Sequence, residues 1–334
     1  LTVAVDGIAR THVQEEGLPA ALVVVLDGQG RALARAPVDA LDPDPRRVEN
    51  RFLEVGPRGA GIDLAGRLPL PPASTAKTLV ALAALDAGLP HDFHTDCEAL
   101  HGEGNMGAAR LGLHGRYTIV HDFPRARPHG RVTVATGIAY SCNVNASRQA
   151  LELGQARLEA AFRGLEFERP SVDDEVYAVT RAGFGQGVEA TVLQVARAYT
   201  ALVRGSPRAV ACDEYWLEGQ AGPTCRVLRS FEAADVAVVR EGMRAAVYAR
   251  GGTARTAAAA GVNVWAKTGT GDWVLDGRPA TVAWTASVVE VATGEHFVVV
   301  VAIPGSRSRT GGEVAAPLAA KVTALLAARA RGGW

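Results

Sequence analysis

The chain has 334 residues, of which 48% are hydrophobic and 21% are charged, and its formal net charge at pH 7 is zero. This composition predicts a globular protein with a large core, organised as one large domain or as two lobes. It excludes a mostly disordered chain, and the lack of a basic excess argues against a nucleic-acid partner. The longest apolar runs are far shorter than the roughly 20 residues of a membrane span.

The first part of the chain predicts a helix, a hairpin and then irregular structure. Residues 3–15 form the candidate helix. Two apolar runs, 20–27 and 31–36, flank a glycine-rich turn at 28–30, which is typical of a β-hairpin. Residues 37–70 are rich in Pro, Asp and Arg and predict irregular structure.

The middle of the chain predicts mainly helices. Two prolines precede an apolar stretch over 75–87, which predicts a helix whose first turn carries Ser74. Residues 90–130 hold several glycines and most of the eight histidines, and predict loops. Further helices are predicted over 133–153, 155–163, 190–204 and 231–249.

The last part of the chain returns to strand patterns and ends in a helix. Strands are predicted over 262–268, 281–291 and 297–303, and an Ala/Leu-rich helix over about 314–329. Strands at both ends with helices between them predict one sheet built from the two termini and a helical lobe from the middle.

Lysine usage points to the first chemical motif. The chain has three lysines against thirty-two arginines, and Lys77 stands three residues after Ser74. Arginine keeps its proton in a protein, whereas lysine can lose it when its surroundings lower its pKa. Positions three apart share one face of a helix. Ser74 and Lys77 are therefore a candidate nucleophile and base, or else a capping serine and an exposed lysine.

A second motif is Ser141-Cys142-Asn143. A polar helix end or turn would contain such residues without any chemical role. Alternatively, the Ser141 hydroxyl passes a proton and the Asn143 amide binds a substrate carbonyl.

A third motif, Lys267-Thr268-Gly269-Thr270, lies at the end of a predicted strand. It is either a strand followed by a glycine turn, or a cation and two hydroxyls that hold a substrate carboxylate. In the second case Gly269 lets a ligand approach the backbone. A cation close to Lys77 would also favour the neutral, basic form of Lys77.

The cysteines and histidines do not predict a metal site. The four cysteines, Cys97, Cys142, Cys212 and Cys225, show no Cys-x-x-Cys pattern. The sequence is compatible both with a Cys212–Cys225 disulfide across a turn and with two free buried thiols. The histidines of the 91–121 segment, with Asp92, Asp96 and Asp122, form either a metal site or a solvated loop. The lack of a His-x-x-x-His spacing favours the solvated loop.

The order of the three motifs, Ser-x-x-Lys, Ser-x-Asn and Lys-Thr-Gly, is the signature of serine penicillin-binding proteins and β-lactamases. From about residue 18 to the end, the chain resembles the transpeptidase domain of class B-like penicillin-binding proteins. Two departures are Ala73, where the family usually has glycine, and residues 37–70, which do not match. Further stretches that resemble the family are 23–27 with Gly30, 183–187, 191–199, 251–254, Ala283-Trp284 and 315–317.

The resemblance implies an α/β fold with a five-stranded antiparallel sheet flanked by helices and packed against an all-helical lobe. In this chain the sheet lobe would comprise about residues 1–70 and 262–334, and the helical lobe about 71–261. The active site would lie between the lobes of this single transpeptidase domain.

It also implies catalytic roles. Ser74 would be the acylated nucleophile and Lys77 its base, while Ser141 would relay protons to the leaving group. The backbone N–H groups of Ser74 and Thr270 would form the oxyanion hole.

Substrate-binding roles follow in the same way. Asn143 would bind the substrate peptide, and the strand that carries Lys267 would pair with it by β-addition. Lys267, Thr268 and Thr270, with Gly269 between the two threonines, would recognise the terminal carboxylate. The resemblance implies no metal and no organic cofactor.

The implied reaction is attack on the D-Ala-D-Ala bond of a peptidoglycan stem peptide, followed by transfer of the acyl group to a neighbouring stem-peptide amine. β-Lactam antibiotics would mimic the substrate and trap Ser74. The implied protein partners are glycosyltransferases or membrane proteins of the division or elongation machinery. The implied location is the extracytoplasmic face of the bacterial membrane, through an anchor not present in this chain, with a role in cell shape or cell division.

Rival interpretations stay on the same fold. A D,D-carboxypeptidase would use the same motifs with water as acceptor. A class A β-lactamase would need a Glu-x-x-x-Asn element between the second and third motifs, which the sequence lacks, and Asn143 argues against a class D enzyme, which would use a carboxylated Lys77. A non-catalytic β-lactam sensor or scaffold and an acyl transferase of secondary metabolism complete the alternatives.

Overall fold

A computed structural model of the chain describes residues 1–39, 64–100, 106–113, 115–122, 127–168, 175–212, 223–275, 278–306 and 308–332. The strands are β1 (Ala20–Asp27), β2 (Ala32–Asp39), β3 (His94–Ala99), β4 (Gly107–Leu113), β5 (Arg116–His121), β6 (Gly130–Thr133), β7 (Arg208–Cys212), β8 (Cys225–Ser230), β9 (Asn263–Leu275), β10 (Arg278–Glu290) and β11 (His296–Pro304). The helices are α1 (Thr2–Glu16), α2 (Leu64–Arg67), α3 (Ala76–Asp86), α4 (Val134–Tyr140), α5 (Asn143–Leu153), α6 (Gln155–Gly164), α7 (Glu175–Gly183), α8 (Val192–Tyr199), α9 (Ala233–Tyr248) and α10 (Ala316–Gly332).

Strands from both termini form the central sheet, as the sequence predicted. Its order is β2-β1-β11-β10-β9, with every neighbouring pair antiparallel. Because side chains alternate along a strand, β1 faces both layers of the molecule. Leu22 and Leu26 pack into the core shared with the middle of the chain, whereas Val23 and Val25 pack into the core under α1 and α10. The sheet is therefore covered on both faces, and β9 lies at one edge of it.

The C-terminal helical segment covers one face of this sheet. A π-helical turn, Gly311–Ala315, leads into α10, and together they are long and apolar enough to cross a membrane by length and composition. However, 56% of the apolar window is buried within the fold. Val322 and Leu326 are fully buried against the sheet core, which is typical of a core helix.

The middle of the chain is helical, but it also contains two small sheets that the sequence analysis did not predict. The expectation of loops over residues 90–130 is wrong, because β3, β4, β5 and β6 form a four-stranded sheet there, in the order β5-β4-β3-β6. These strands are short and half exposed, so the hydrophobic alternation that reveals a strand is weak. The lobe inferred for residues 71–261 is therefore not purely helical.

The second small sheet is the hairpin β7–β8. Cys212 and Cys225 are paired residues across it and form a disulfide. The structure thus selects the disulfide among the two alternatives that the sequence left open. The intervening residues 213–222 lie outside the described residues.

Several helices differ from the sequence predictions. The helix predicted over 133–153 is divided into α4 and α5, because Ser141 has a left-handed backbone with φ 59° and ends α4. The helix α7 was not predicted, since its nine residues give few turns in which to read a period. Residues 40–63, part of the segment predicted to be irregular, lie outside the described residues.

Candidate active site

Ser74 lies in a tight turn held from both ends by buried aromatic side chains. We define the Ser74 turn as residues 71–75; its last three residues form a 3₁₀ turn directly before α3. The indole N–H of Trp284 donates a 2.8 Å hydrogen bond to the first carbonyl of this turn, and the Tyr199 hydroxyl donates one of 2.8 Å to the last. Both rings are fully buried. Both residues lie in stretches that resemble the family, but the sequence did not indicate this positioning role.

The backbone conformation of the residue before Ser74 explains why the family usually has glycine there. Ala73 has a positive φ of 49°, in the left-handed region that favours glycine. A glycine would adopt this conformation without steric cost. Alanine is accommodated here within a buried site, and its backbone is the strained point of the Ser74 turn.

Lys77 is fully buried and its ammonium group contacts the second motif. Its Nζ donates hydrogen bonds to the Ser141 carbonyl oxygen, to Ser141 Oγ at 3.2 Å and to Asn143 Oδ1 at 2.6 Å. Among the described residues, no hydrogen bond joins Lys77 to Ser74 Oγ one helical turn away, and no carboxylate forms a salt bridge with Lys77. The first two motifs therefore meet in space through Lys77.

Lys267 approaches the same hydroxyl from the sheet. It is fully buried, and its Nζ donates to Ser141 Oγ at 2.8 Å and to the Thr268 carbonyl oxygen at 2.7 Å. Ser141 Oγ thus bridges the two lysines. The three motifs, which are far apart in the sequence, converge on this one serine.

Burial changes the acid–base properties of both lysines. Desolvation lowers the pKa of Lys77 to about 8, even though the charge of Asp122 acts in the opposite direction. Desolvation, followed by the charge of Lys77, lowers the pKa of Lys267 well below its ordinary value. A lysine with a pKa near 8 is present in part as the neutral amine at neutral pH, which is the form that accepts a proton.

The pKa of Lys77 predicts the pH dependence of acylation. Because only the neutral amine can take the Ser74 proton, the acylation rate should rise about tenfold per pH unit below the pKa of about 8 and level off above it. The measurement is the rate of labelling by a fluorescent penicillin from about pH 6 to about pH 9.5. A rate that is flat across this range would contradict the assignment of Lys77 as the base.

The third motif lies on the edge strand β9 and packs against the Ser74 turn. A Cβ atom added at Gly269 would lie 3.1 Å from the Ser74 nitrogen and 3.3 Å from the Thr75 nitrogen. Gly269 therefore allows the approach of the turn to the strand, in addition to the ligand access inferred from sequence. This approach brings the backbone of β9 next to that of Ser74, as an oxyanion hole shared between them requires.

The hydroxyls of the third motif lie at the cleft surface. Thr268 Oγ1 donates to the Thr253 carbonyl oxygen at 3.3 Å, and Thr270 Oγ1 accepts from the Gly311 nitrogen at 3.2 Å. Thr253 belongs to the 251–254 stretch that resembles the family. These bonds fix the two threonine side chains on either side of Gly269.

Asp122 and His121 hold the second motif, a role that was not predicted from the sequence. The Asn143 backbone N–H donates to Asp122 Oδ1, and the Asn143 side-chain nitrogen donates to the His121 carbonyl oxygen at 2.9 Å. The amide oxygen of Asn143 is left to accept from Lys77. No local pattern could have indicated this role, because β5 was not predicted.

A cleft of about 950 Å³ lies over these residues. It exposes Ser74, Ser141 and Asn143 on one side and the third motif on the other, with Lys77 and Lys267 buried behind it. Its size suits a peptide or a drug-sized ligand.

The sequence profile of the penicillin binding protein transpeptidase domain matches residues 40–324. The chain belongs to the penicillin-binding protein transpeptidase domain family. Domains of this family act outside the cytoplasm on peptidoglycan, so a peptidoglycan transpeptidase-type function applies to this chain. No curated protein sequence matches the chain.

Solved structures show that this transpeptidase domain has the family fold. The TP domain of penicillin-binding protein 3 from Burkholderia pseudomallei has a TM-score of 0.74 at 16% identity, with 99% of this chain and 94% of that chain covered. A peptidoglycan glycosyltransferase from Burkholderia ambifaria has a TM-score of 0.72 at 18% identity, with 99% and 97% covered. Penicillin-binding protein 3 from Mycobacterium tuberculosis, in complex with aztreonam, has a TM-score of 0.73 at 20% identity, with 99% and 77% covered.

Proposed function

We propose that this transpeptidase domain is a serine D,D-transpeptidase that cross-links peptidoglycan stem peptides through a Ser74 acyl-enzyme and is inhibited by β-lactams. The observation that carries the proposal is the pair of buried lysines, Lys77 and Lys267, bridged by Ser141 Oγ beside the Ser74 turn. Such an arrangement provides a base for the nucleophile and a hydroxyl path for the proton.

Acylation follows from these positions. Ser74 Oγ attacks the carbonyl carbon of the D-Ala-D-Ala bond while its proton moves to neutral Lys77. The negative charge on the carbonyl oxygen is stabilised by the backbone N–H groups of Ser74 and Thr270. The proton then passes from Lys77 through Ser141 to the nitrogen of the leaving D-Ala, and the tetrahedral intermediate collapses to the acyl-enzyme.

Substrate binding uses the edge of the sheet. An extended stem peptide pairs with β9, and its terminal carboxylate meets the hydroxyls of Thr268 and Thr270 beside Lys267. Asn143 contributes its amide to the peptide on the opposite wall. A second stem peptide then presents its amine to the ester carbon and gives a proton to neutral Lys77. The tetrahedral intermediate collapses to the new amide, and Ser74 Oγ leaves with that proton.

The surroundings of Lys77 weigh against the class D β-lactamase alternative. A carboxylated lysine would be an anion and would need hydrogen-bond donors around it. Two of the partners of Lys77 Nζ, the Ser141 carbonyl oxygen and Asn143 Oδ1, are oxygens placed as acceptors. The Asn143 amide is held in this orientation by its donation to the His121 carbonyl oxygen. These contacts favour an unmodified amine.

The test is to follow the intact mass of the protein after addition of a penicillin. We expect a persistent adduct of one drug molecule on Ser74, absent from Ser74→Ala and unchanged in Ser230→Ala, whose serine is exposed outside the cleft. Rapid drug turnover without an adduct would instead indicate a hydrolase. Failure of Ser74 to react would contradict the proposal and leave the non-catalytic scaffold as the function.

A second assay separates the transpeptidase from the carboxypeptidase. A stem-peptide donor is offered with an amine acceptor, and the cross-linked and hydrolysed products are quantified. The transpeptidase assignment requires that aminolysis products exceed hydrolysis products at a saturating acceptor concentration. Release of D-Ala with hydrolysed peptide alone would assign a carboxypeptidase.

A further inference from the structure

Four side chains with metal-ligating atoms meet directly behind the second motif. They are Cys97 on β3, Asp122 after β5, His129 before β6 and Cys142 at the start of α5. One ligand atom from each lies within 4.8 Å of the others. Cys97, Asp122 and Cys142 are buried, and the side chain of His129 is 17% exposed. We refer to these four residues as the Cys97 cluster.

The cluster is arranged around a single carboxylate oxygen. Asp122 Oδ2 lies 2.9 Å from Cys97 Sγ, 2.9 Å from His129 Nδ1 and 3.4 Å from Cys142 Sγ. Cys97 Sγ and His129 Nδ1 are 3.7 Å apart. Cys97, His129 and Cys142 thus direct their hydrogens at one buried carboxylate oxygen. A bound cation would supply the positive charge in their place.

These separations are close to those of a tetrahedral metal site. Zinc binds sulfur at about 2.3 Å and nitrogen or oxygen at about 2.0 Å, so its ligand atoms lie about 3.3–3.8 Å from one another. Two of the observed separations, 3.4 and 3.7 Å, fall in this range and two at 2.9 Å lie below it. Side-chain adjustments of a few tenths of an ångström would therefore admit the ion.

The two thiols are not joined as the other cysteine pair is. Cys212 and Cys225 form a disulfide, whereas Cys97 and Cys142 are free thiols that both contact Asp122 Oδ2. Both thiols are therefore available as metal ligands, beside a carboxylate and an imidazole that also bind metal ions.

We propose that the Cys97 cluster is a structural zinc site. Zinc would be bound by the thiolates of Cys97 and Cys142, His129 Nδ1 and Asp122 Oδ2, and the two thiol protons would pass to solvent. Four protein ligands close the coordination sphere, so the ion has a structural and not a catalytic role. The proposal departs from the sequence-based expectation of no metal site.

The site would position the second motif. Asp122 uses its other oxygen, Oδ1, to accept the Asn143 backbone N–H, and Cys142 stands between Ser141 and Asn143. A zinc ion would therefore fix the middle of this segment directly through Cys142, and its Asn143 end through Asp122. Cys97, Asp122, His129 and Cys142 act through their neighbours and are positioning residues.

The experiment measures metal without any substrate, so its result does not depend on the proposed reaction. The full chain is produced in zinc-containing medium and purified without chelators or metal-affinity resin, and its metal content is determined by mass spectrometry of the elements. We expect about one zinc per chain, falling below about 0.2 in Cys97→Ser. The matched control, Cys212→Ser with Cys225→Ser, removes two cysteines elsewhere and should keep the zinc.

Cobalt provides the second measurement and needs no variant. Wild-type protein stripped of zinc and titrated with Co²⁺ should develop sulfur-to-cobalt charge-transfer absorption and the intense visible bands of a tetrahedral site, saturating at one ion per chain. Chelation should also lower the melting temperature of the wild type and not that of Cys97→Ser.

Three results would overturn the proposal. The first is wild-type protein that carries no zinc and gives no cobalt spectrum. The second is zinc retained in full by Cys97→Ser. The third is a Cys97–Cys142 disulfide, seen in peptide masses as the loss of two hydrogens, in protein prepared with zinc. If Cys97→Ser fails to fold, the cobalt titration of the wild type decides alone.

Discussion

Replacing Lys77 with arginine is expected to lower the rate of β-lactam acylation about 10³-fold. Arginine keeps the positive charge and can still donate hydrogen bonds to the oxygens of Ser141 and Asn143. However, it stays protonated at every accessible pH. The nucleophile therefore loses its base while the second motif keeps a cation. The measurement is the second-order rate constant of labelling by a fluorescent penicillin, with thermal unfolding to verify the fold.

The chain offers a matched control for this substitution. Lys321 is the third lysine, and its side chain is 44% exposed in a surface salt bridge with Glu15. Lys321→Arg makes the same chemical change away from the cleft and should leave the rate unchanged, since exposed ion pairs contribute little. A Lys77→Arg protein that acylates at the wild-type rate would show that another group takes the Ser74 proton.

Replacing Gly185 with alanine is expected to reduce acylation about 10²-fold through the backbone of the nucleophile. A Cβ atom at this position would lie 2.0 Å from the carbonyl oxygen of Ala73 and 2.9 Å from its nitrogen. Neither neighbour is a side chain that can rotate away, so the Ser74 turn itself has to move. A displacement of about 1 Å at the reacting atom is enough for a loss of this size.

The Gly187→Ala variant distinguishes the effect of this steric clash from the effect of backbone strain. Both glycines have a positive φ, 79° at Gly185 and 70° at Gly187, but a Cβ at Gly187 meets nothing within 4 Å. Both alanine variants should lose about 1 kcal/mol of stability to the left-handed backbone. Only Gly185→Ala should lose acylation in the same penicillin assay. Equal rates in the two variants would mean that the contact with Ala73 does not position Ser74.

The usual glycine at the position of Ala73 has a structural reason that the sequence does not show. The sequence identified Ala73 as a departure, but the reason for the usual glycine is a backbone angle. That angle, φ 49°, is imposed by the packing of the Ser74 turn between Trp284, Tyr199 and the 183–187 segment. Local propensity favours a different conformation, and tertiary contacts override it.

The segment over residues 90–130 shows why part of the fold was not predicted. Its strands pair mostly with one another and are half exposed, so few apolar residues mark them. Without β3 and β5, Cys97 and Asp122 cannot be placed. The two residues are 25 positions apart, and Cys142 follows Asp122 by 20. Their proximity results from strand pairing and not from any spacing that a metal-site pattern contains.

The sequence alone determined the central sheet built from both termini, the nucleophile helix and the order of the three motifs. These features rest on local periodicity and on residue chemistry, which neighbouring residues in the chain express directly. The tertiary structure decided the convergence of Lys77 and Lys267 on Ser141, the burial that lowers the pKa of Lys77 to about 8, and the assembly of the Cys97 cluster. Desolvation and long-range contacts arise only when distant segments pack together. The sequence could therefore indicate the chemistry of the site but not its geometry.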